Sequence, residues 1–323
     1  AEFGQTLEGG SPFSHFLAMN SGSESVSVAT RISDLNANAL TDEGGRYAGR
    51  TIRKMSLAGG FHGRTGRPAM FSDSSGRGYR AHLATFRNEH LLTVKPNDVP
   101  GLEEMFRRAD EEGWFIEAFF MEPVMGEGNP GAAITPEFYA AARRLTREHG
   151  SLLLVDSIQS GLRTTGYLSV VDSPGFQDLE APDMEAYSKA LNAGQYPLSI
   201  LAMTPRAAEL YRKGIYGNTM TANPRAMDIG TAVLRMVTPE VRRNIVERGK
   251  EFVEKLEALS EELDGKITKV VGTGLLFSCE LDPSYKAYGT GSAEEYMRLK
   301  GIGVIHGGEN SLRFTPHFNV TSE

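Results

Sequence analysis

Apolar positions along this chain of 323 residues keep two alternating rhythms. After "MNSGSE", Val28, Ile32 and Leu35 recur at helical spacing, and "RKMSLA" then reads as a strand. Leu102, Met105, Phe106 and Ala109 repeat as i, i+3, i+4, i+7 and predict a helix, followed by a buried strand "WFIEAFFM". Phe138, Ala141, Ala142 and Leu145 mark the next helix, and "LLLV" the next strand. Thr135-Pro136, Thr204-Pro205 and Thr238-Pro239 each place an N-cap hydroxyl before a proline at a first helical position. Strands alternating with helices predict an α/β fold, a mostly parallel, doubly wound central sheet with flanking helices. From Pro239 the texture changes. A long charged helix, Glu240 to Leu263, leads into "ITKVVGTGLLFSCEL", a short helix, "GVIH" and "SLRFTPHFNV". This divides the chain into a large α/β domain, 1–238, and a smaller C-terminal α+β domain, 239–323.

Composition narrows the function classes. With 40% hydrophobic and 23% charged residues the chain can bury a large core. A net charge of -7 and the lack of a long basic stretch argue against a nucleic-acid partner. The longest near-apolar run, "WFIEAFFM", is too short to span a membrane and is interrupted by Glu117. The single cysteine, Cys279, rules out an intramolecular disulfide and fits a reducing compartment. No charged-then-apolar leader opens the chain. A cytoplasmic enzyme without a membrane partner or a metal is the expectation. The first residue is not Met, which leads us to expect a processed or partial chain.

The stretch "SLLLVDSIQSG" runs four apolar residues into a carboxylate, Asp156. In open parallel sheets ligands sit outside the carboxyl ends of the strands, so Asp156 is placed where chemistry happens. A turn or N-cap aspartate is the competing explanation. "MNSGSES" has the form of a strand, a tight glycine turn and a helix start. The amides of Gly22 and Ser23 would point from a helix N-terminus at an anion such as phosphate, although Ser-Gly-Ser is also simple turn chemistry. "AGGFHGRTG" sets Phe61 and His62 between small residues, where a flat ring could stack or an aromatic could pack under a loop. "YSKALNAG" surrounds Lys189 with small and apolar residues. A lysine removed from water has a lowered pKa and can form a Schiff base. A phosphate cradle, a stacking aromatic, a carboxylate and such a lysine together suit pyridoxal 5'-phosphate. Asp156 would keep the pyridine nitrogen protonated, Gln159 would reach the phenolic oxygen, and Ile158 would pack on the ring face opposite Phe61.

These motifs, in this order, resemble the class III pyridoxal-phosphate aminotransferases, the fold-type I group that includes ornithine, acetylornithine, 4-aminobutyrate and lysine 6-aminotransferases. "NSGSE" looks like the phosphate turn, "FHGRT" the ring-stacking loop and "MEPVMGEG" the "EP-x-x-GE" strand end. "VDSIQSG" resembles "DE-V/I-Q-T-G", "SKAL" the Schiff-base lysine, "GNTMTANP" the "S-T-x-x-x-N-P" segment, and "LRFTP" the "LRF-x-P" strand. The resemblance spans about Asn20 to Val320. It implies an aminotransferase in which Lys189 anchors the cofactor and shuttles the proton, while Asp156 and Gln159 contact the ring. It implies further that Gly22 and Ser23 hold the phosphate, that Thr219 reaches the same phosphate from the partner subunit of a homodimer with shared active sites, and that Phe61 and His62 form the ring-stacking loop. Glu122, Glu127 and Arg313 match substrate-side positions. In the ω-aminotransferases Glu127 and Arg313 correspond to a switchable pair, the arginine binding a substrate carboxylate in one half-reaction and masked in the other. A domain-bridging ion pair is the alternative.

The implied activity passes an amino group, a terminal one, from an amino acid or amine to the cofactor and then to a 2-oxo acid such as 2-oxoglutarate. Departures from the pattern bear on substrate choice: Ser157 replaces the usual acid, Met125 stands where glutamine is common, and "LNAGQYP" replaces a glycine-rich run. The family pattern also has a segment ahead of the phosphate turn and a last helix, so a fragment, or an enzyme with those parts supplied otherwise, is expected. Two rival functions remain open: another reaction on the same scaffold (aminomutase, racemase, decarboxylase or phospho-lyase), or a truncated non-catalytic relative.

Overall fold

The computed structural model describes residues 1–87 and 90–322. Among these, seven strands make the main sheet: β1 (His15–Met19), β2 (Thr51–Leu57), β3 (Leu91–Val94), β4 (Trp114–Met121), β5 (Leu152–Asp156), β6 (Met184–Tyr187) and β7 (Ser199–Met203). Their order is β1-β7-β6-β5-β4-β2-β3. Strands β2 to β6 are parallel, and β7 runs antiparallel to both β6 and β1. Strand β1 therefore points the same way as β6, and six of the seven strands end on one edge.

Strand β5 is buried at every position, and its alternate side chains go to opposite faces. Leu153 and Val155 share a core with Leu102 and Phe106 of helix Val99–Glu111 and with Phe138 and Tyr139 of helix Pro136–His149. Leu152 and Leu154 share the opposite core with Val26, Ala29 and Ile32 of helix Gly22–Thr41. Helices on both faces explain why "LLLV" is a continuous apolar run. Each leucine so buried contributes about 1.5–3 kcal/mol.

The three threonine caps form as the sequence predicts. The hydroxyls of Thr135, Thr204 and Thr238 accept from the amides of Phe138, Ala207 and Val241 at 3.2, 3.5 and 3.4 Å. Glu117 has a structural explanation. The β2–β4 register steps from Arg53↔Ile116 to Lys54↔Ala118, leaving Glu117 as the unpaired residue of a bulge. Its buried carboxylate is held by Arg67 at 2.6 Å.

A second sheet, order β10-β11-β9-β8, is antiparallel and contains β8 (Ile267–Thr273), β9 (Leu276–Leu281), β10 (Ile305–Gly307) and β11 (Ser311–Phe314). Helix Pro239–Glu262 packs against β8 and β9. Strand β11 carries Arg313, in register with Ser278 and Ile305.

Candidate active site

Five segments meet at the edge where the parallel strands end. The first follows β1. Ser21 caps the 20-residue helix Gly22–Thr41 by accepting from the Glu24 amide at 3.4 Å, while Glu24 Oε2 accepts from the Asn20 and Ser21 amides at 2.8 and 2.9 Å. This reciprocal box fixes the turn. Gly22 and Ser23 occupy the first two helical positions, whose amides have no acceptor within the helix and carry the positive end of its dipole. Both line a cavity of about 170 Å³. A Cβ at Gly22 would lie 2.6 Å from Ile158 Cδ1, so a larger residue here would push the Ile158 side chain aside.

The loop after β2 brings in Phe61 and His62, and the end of β4 brings in Glu122. The Phe61 and Gly126 amides donate to the two carboxylate oxygens of Glu122 at 2.9 and 2.8 Å. Glu122 is buried, and burial pushes its carboxyl up to about 7; His62 and the two amides oppose the shift and the charge of Asp156 adds to it.

Asp156 ends β5. Its Oδ2 lies 2.9 Å from His62 Nδ1, with 4% of its side chain and none of the histidine's exposed. Its Oδ1 accepts from the Ile158 amide at 3.1 Å. An ionised carboxylate can only accept, so His62 Nδ1 carries the hydrogen. Nε2 of the same ring is buried and has no hydrogen-bond partner among the described residues. Sequence reasoning placed both residues at the site but had no signal for this pair, because only the fold brings the two loops together.

Lys189 follows β6 in a single 3₁₀ turn, Lys189–Asn192. Its ammonium donates to Gln159 Oε1. The side chain as a whole is open to the cleft, yet protein atoms crowd Nζ. The crowding governs its charge, since the proton sits on that atom. Desolvation lowers the Lys189 pKa, Arg313 adds to the effect, and Asp156, Glu127 and Glu122 oppose it.

Of the residues expected at the site, Gly22, Ser23, Phe61, His62, Glu122, Glu127, Asp156, Ile158, Gln159 and Lys189 line one cavity. Arg313 lines an adjoining cavity of about 700 Å³ that shares Gln159 and Lys189 with the first. Arg313 Nη1 meets Glu127 Oε1 at 3.0 Å and also donates to the Gly126 carbonyl. Thr219 is exposed and is not among the residues lining either cavity. Its loop is tied to the Ser21–Glu24 turn, because Tyr216 Oη and Asn218 Nδ2 both donate to Glu24 Oε1. Gly63, Gly126 and Ser188 also line the first cavity and were not singled out from sequence.

The residues fit pyridoxal 5'-phosphate. Two acceptor-free helix amides suit a phosphate. A carboxylate held by a histidine hydrogen bond suits a pyridinium nitrogen, and a lysine with a lowered pKa suits a carbonyl carbon. A mostly parallel sheet with these groups at its carboxyl edge defines a fold-type I pyridoxal-phosphate enzyme. The comparisons narrow this class. The family model for class III aminotransferases matches residues 1–323. The acetylornithine aminotransferase of Xanthomonas campestris pv. campestris is 30% identical over 305 residues, 94% of this chain and 69% of that protein. The ornithine aminotransferase of Toxoplasma gondii ME49 has a TM-score of 0.78 at 25% identity, covering 96% of this chain and 69% of that one. An aminotransferase from Vibrio fluvialis, solved with PMP, shares the fold at a TM-score of 0.78 and 20% identity, covering 99% and 74%.

The chain belongs to the class III aminotransferases. It is a pyridoxal-phosphate-dependent enzyme that transfers an amino group from an amino acid donor to a 2-oxo acid. No helix among the described residues is long and apolar enough to cross a membrane.

Proposed function

We propose that this aminotransferase takes the terminal amine of an amino acid or amine and delivers it to a 2-oxo acid such as 2-oxoglutarate, working as a cytoplasmic homodimer. The observation that carries the substrate reading is the Glu127–Arg313 pair. Its side chains meet at 3.0 Å, with the arginine 7% and the glutamate 30% exposed. The more exposed glutamate is the partner that a ligand carboxylate can replace, while the buried guanidinium keeps its fork for that carboxylate. The relatives' names, acetylornithine and ornithine aminotransferase, support an amino acid donor. We also assign the chain to two domains, divided at 238/239.

When bound, pyridoxal 5'-phosphate supplies a carbon that carries the amino group and a ring that takes up the electron pair released as a proton leaves the donor carbon. Gly22 and Ser23 would hold the phosphate, with Thr219 of the partner subunit completing the cradle. Phe61 and Ile158 would flank the ring, and Gln159 would bond the phenolic oxygen. Asp156 would supply negative charge at the ring nitrogen, and His62, 2.9 Å from it, would keep that carboxylate in place. Lys189 Nζ, with its lowered pKa, is neutral more readily than an exposed lysine, and can take the proton from the donor carbon and return it. Glu122 fixes the Phe61 loop through the Phe61 amide.

Half-reaction kinetics test this reading. Arg313→Lys keeps the charge and loses the fork, so the 2-oxo acid half-reaction should fall about 10- to 100-fold, the worth of a charge-assisted hydrogen bond. The amine half-reaction should fall less. Equal losses in both halves would remove the switch. A fully active monomer in light scattering would remove the dimer, and recovery of the native enzyme outside the cytoplasmic fraction would remove the assigned location.

A further inference from the structure

Glu185 is a wholly buried acid that lines neither cavity of the site. It lies on β6, in register with Val155 of β5. Its two oxygens accept from four donors. Oε1 takes the Ser157 hydroxyl at 2.5 Å and the Val170 amide at 2.9 Å, and Oε2 takes the Ser169 hydroxyl at 2.5 Å and the Tyr187 hydroxyl at 3.0 Å. Burial pushes its carboxyl up to about 7, and all four hydrogen bonds oppose the shift. A carboxylate out of water is tolerated where its lone pairs are filled in this way.

The four donors belong to the segments that carry the site. Ser157 sits between Asp156 and Ile158, just ahead of Gln159. Ser169 and Val170 lie at the far end of the segment that leaves β5 at Ser157, and Tyr187 stands just ahead of Ser188 and Lys189. The Ser157 amide still donates to the Ala186 carbonyl of β6, at 3.0 Å. Beyond that bond the chain leaves the sheet and the ladder no longer holds it. Ser157 also stands where the family pattern has an acid, so the carboxylate at this place arrives from the neighbouring strand. The two segments meet again at the site, where Lys189 Nζ donates to Gln159 Oε1. A shift of either one changes the distance from Nζ to whatever occupies the cavity.

We propose that Glu185 is a positioning residue for the amino-group transfer: by gathering Ser157, Ser169, Val170 and Tyr187 on one carboxylate, it sets the distance between the segment bearing Ile158 and Gln159 and the turn bearing Lys189. It acts through Ser157 on one side and Tyr187 on the other and touches no reactant. This rests on the reading of Lys189 as proton carrier above and adds the group that keeps the carrier in range.

The test uses the holoenzyme. Single-turnover rates of the amine half-reaction are expressed per bound cofactor, with whichever of ornithine, acetylornithine and 4-aminobutyrate reacts fastest with the wild type. Visible circular dichroism of the bound cofactor gives a second reading that needs no turnover. Glu185→Leu keeps the bulk and removes every acceptor. Its rate should fall about 10- to 100-fold, as expected for a misplacement of about 1 Å, with the donor KM within about threefold because no substrate contact is lost. The dichroism should change with it. Glu185→Gln keeps one acceptor, and its NH2 can donate to the Ser169 and Tyr187 hydroxyl oxygens, so most of the rate and the native dichroism should return. Ser157→Ala cuts one arm and should lose about 3- to 10-fold, the worth of one hydrogen bond. The double variant Ser157→Ala/Glu185→Leu should be no slower than Glu185→Leu. An unchanged rate per bound cofactor and unchanged dichroism in Glu185→Leu, with only the unfolding midpoint lowered, would make Glu185 a core carboxylate and overturn the proposal, and so would additive losses in the double variant. Should Glu185→Leu not fold, Ser157→Ala decides, and native rate and dichroism there overturn the proposal. If borohydride labels a lysine other than Lys189, the reading of Lys189 fails, and the dichroism still decides whether Glu185 sets the pose of the bound cofactor.

Discussion

Asp156→Asn separates the two roles of the carboxylate. In the native site both of its oxygens face donors, the Ile158 amide at 3.1 Å and His62 Nδ1 at 2.9 Å. An asparagine offers one oxygen and one NH2 group, so one donor would face another donor. The conflict is relieved if the His62 hydrogen moves to Nε2 and Nδ1 becomes the acceptor. That leaves a buried N–H with no partner, since Nε2 already has none. An unsatisfied buried donor costs about 1–3 kcal/mol, and the variant should lose that much in denaturant unfolding while remaining folded. Activity should suffer more. A neutral amide cannot stabilise a protonated ring nitrogen by charge, and loss of one preorganised electrostatic contact typically costs about 10²–10³-fold in turnover. The assay is a single-turnover half-reaction followed by cofactor absorbance, run beside a urea melt. Near-native turnover would refute the reasoning and leave Asp156 as a turn residue. Lost activity with no loss of stability would show that the histidine tautomer argument is wrong.

Borohydride reduction of the holoenzyme followed by peptide mapping should place the pyridoxyl label on Lys189, and Lys189→Ala should lose most transamination because tether and proton carrier go together; label on another lysine would overturn the assignment. The Glu122 carboxyl, raised by burial from about 4.5 to about 7, binds a proton in the folded state that the unfolded chain has released. Its contribution to stability is therefore full below about pH 4.5 and is lost as pH rises through about 7. Urea midpoints across that window should fall less steeply in Glu122→Gln than in the wild type, and parallel curves would show that Glu122 does not titrate there.

The placement of polar residues at the strand ends was legible because parallel strands announce themselves. The run "LLLV" needs apolar cover on both faces, so the polar residue that ends it had to be Asp156 at the sheet edge. Gly22 was legible from the strand, glycine turn and helix start of "MNSGSES", and Lys189 from the small neighbours that signal close approach. Other features left no such trace. Strands β1 and β7 are five residues each and pair antiparallel at one side of the sheet, too short for a rhythm to separate them from a buried turn of helix. Glu117 looked like an interruption of an apolar run, and only pairing with β2 reveals the bulge. The His62–Asp156 and Glu127–Arg313 contacts join loops distant in sequence. The first had no local sign at all, and the second was expected only from family resemblance.

The small residues after Lys189 have a second physical reason, which concerns the backbone. Lys189 has φ +45° and Ala193 φ +49°, both in the left-handed region, and Gly194 follows at φ +73°. Such conformations cost a residue with a β-carbon about 1–3 kcal/mol and persist where the surroundings over-determine them. Here they are over-determined. Leu191 is fully buried in the core that contains Leu198 and Ile200, and Ser188 Oγ donates to the Leu198 carbonyl at 2.7 Å. The turn is thus clamped to the start of β7 on one side and to β6 on the other. If Lys189 serves as both tether and proton carrier, as proposed, its Nζ moves between positions during turnover. Its backbone must stay put while the side chain does so, or the proton would be delivered from a variable distance. The antiparallel β7, which breaks the parallel rule of the sheet, is the element that holds it.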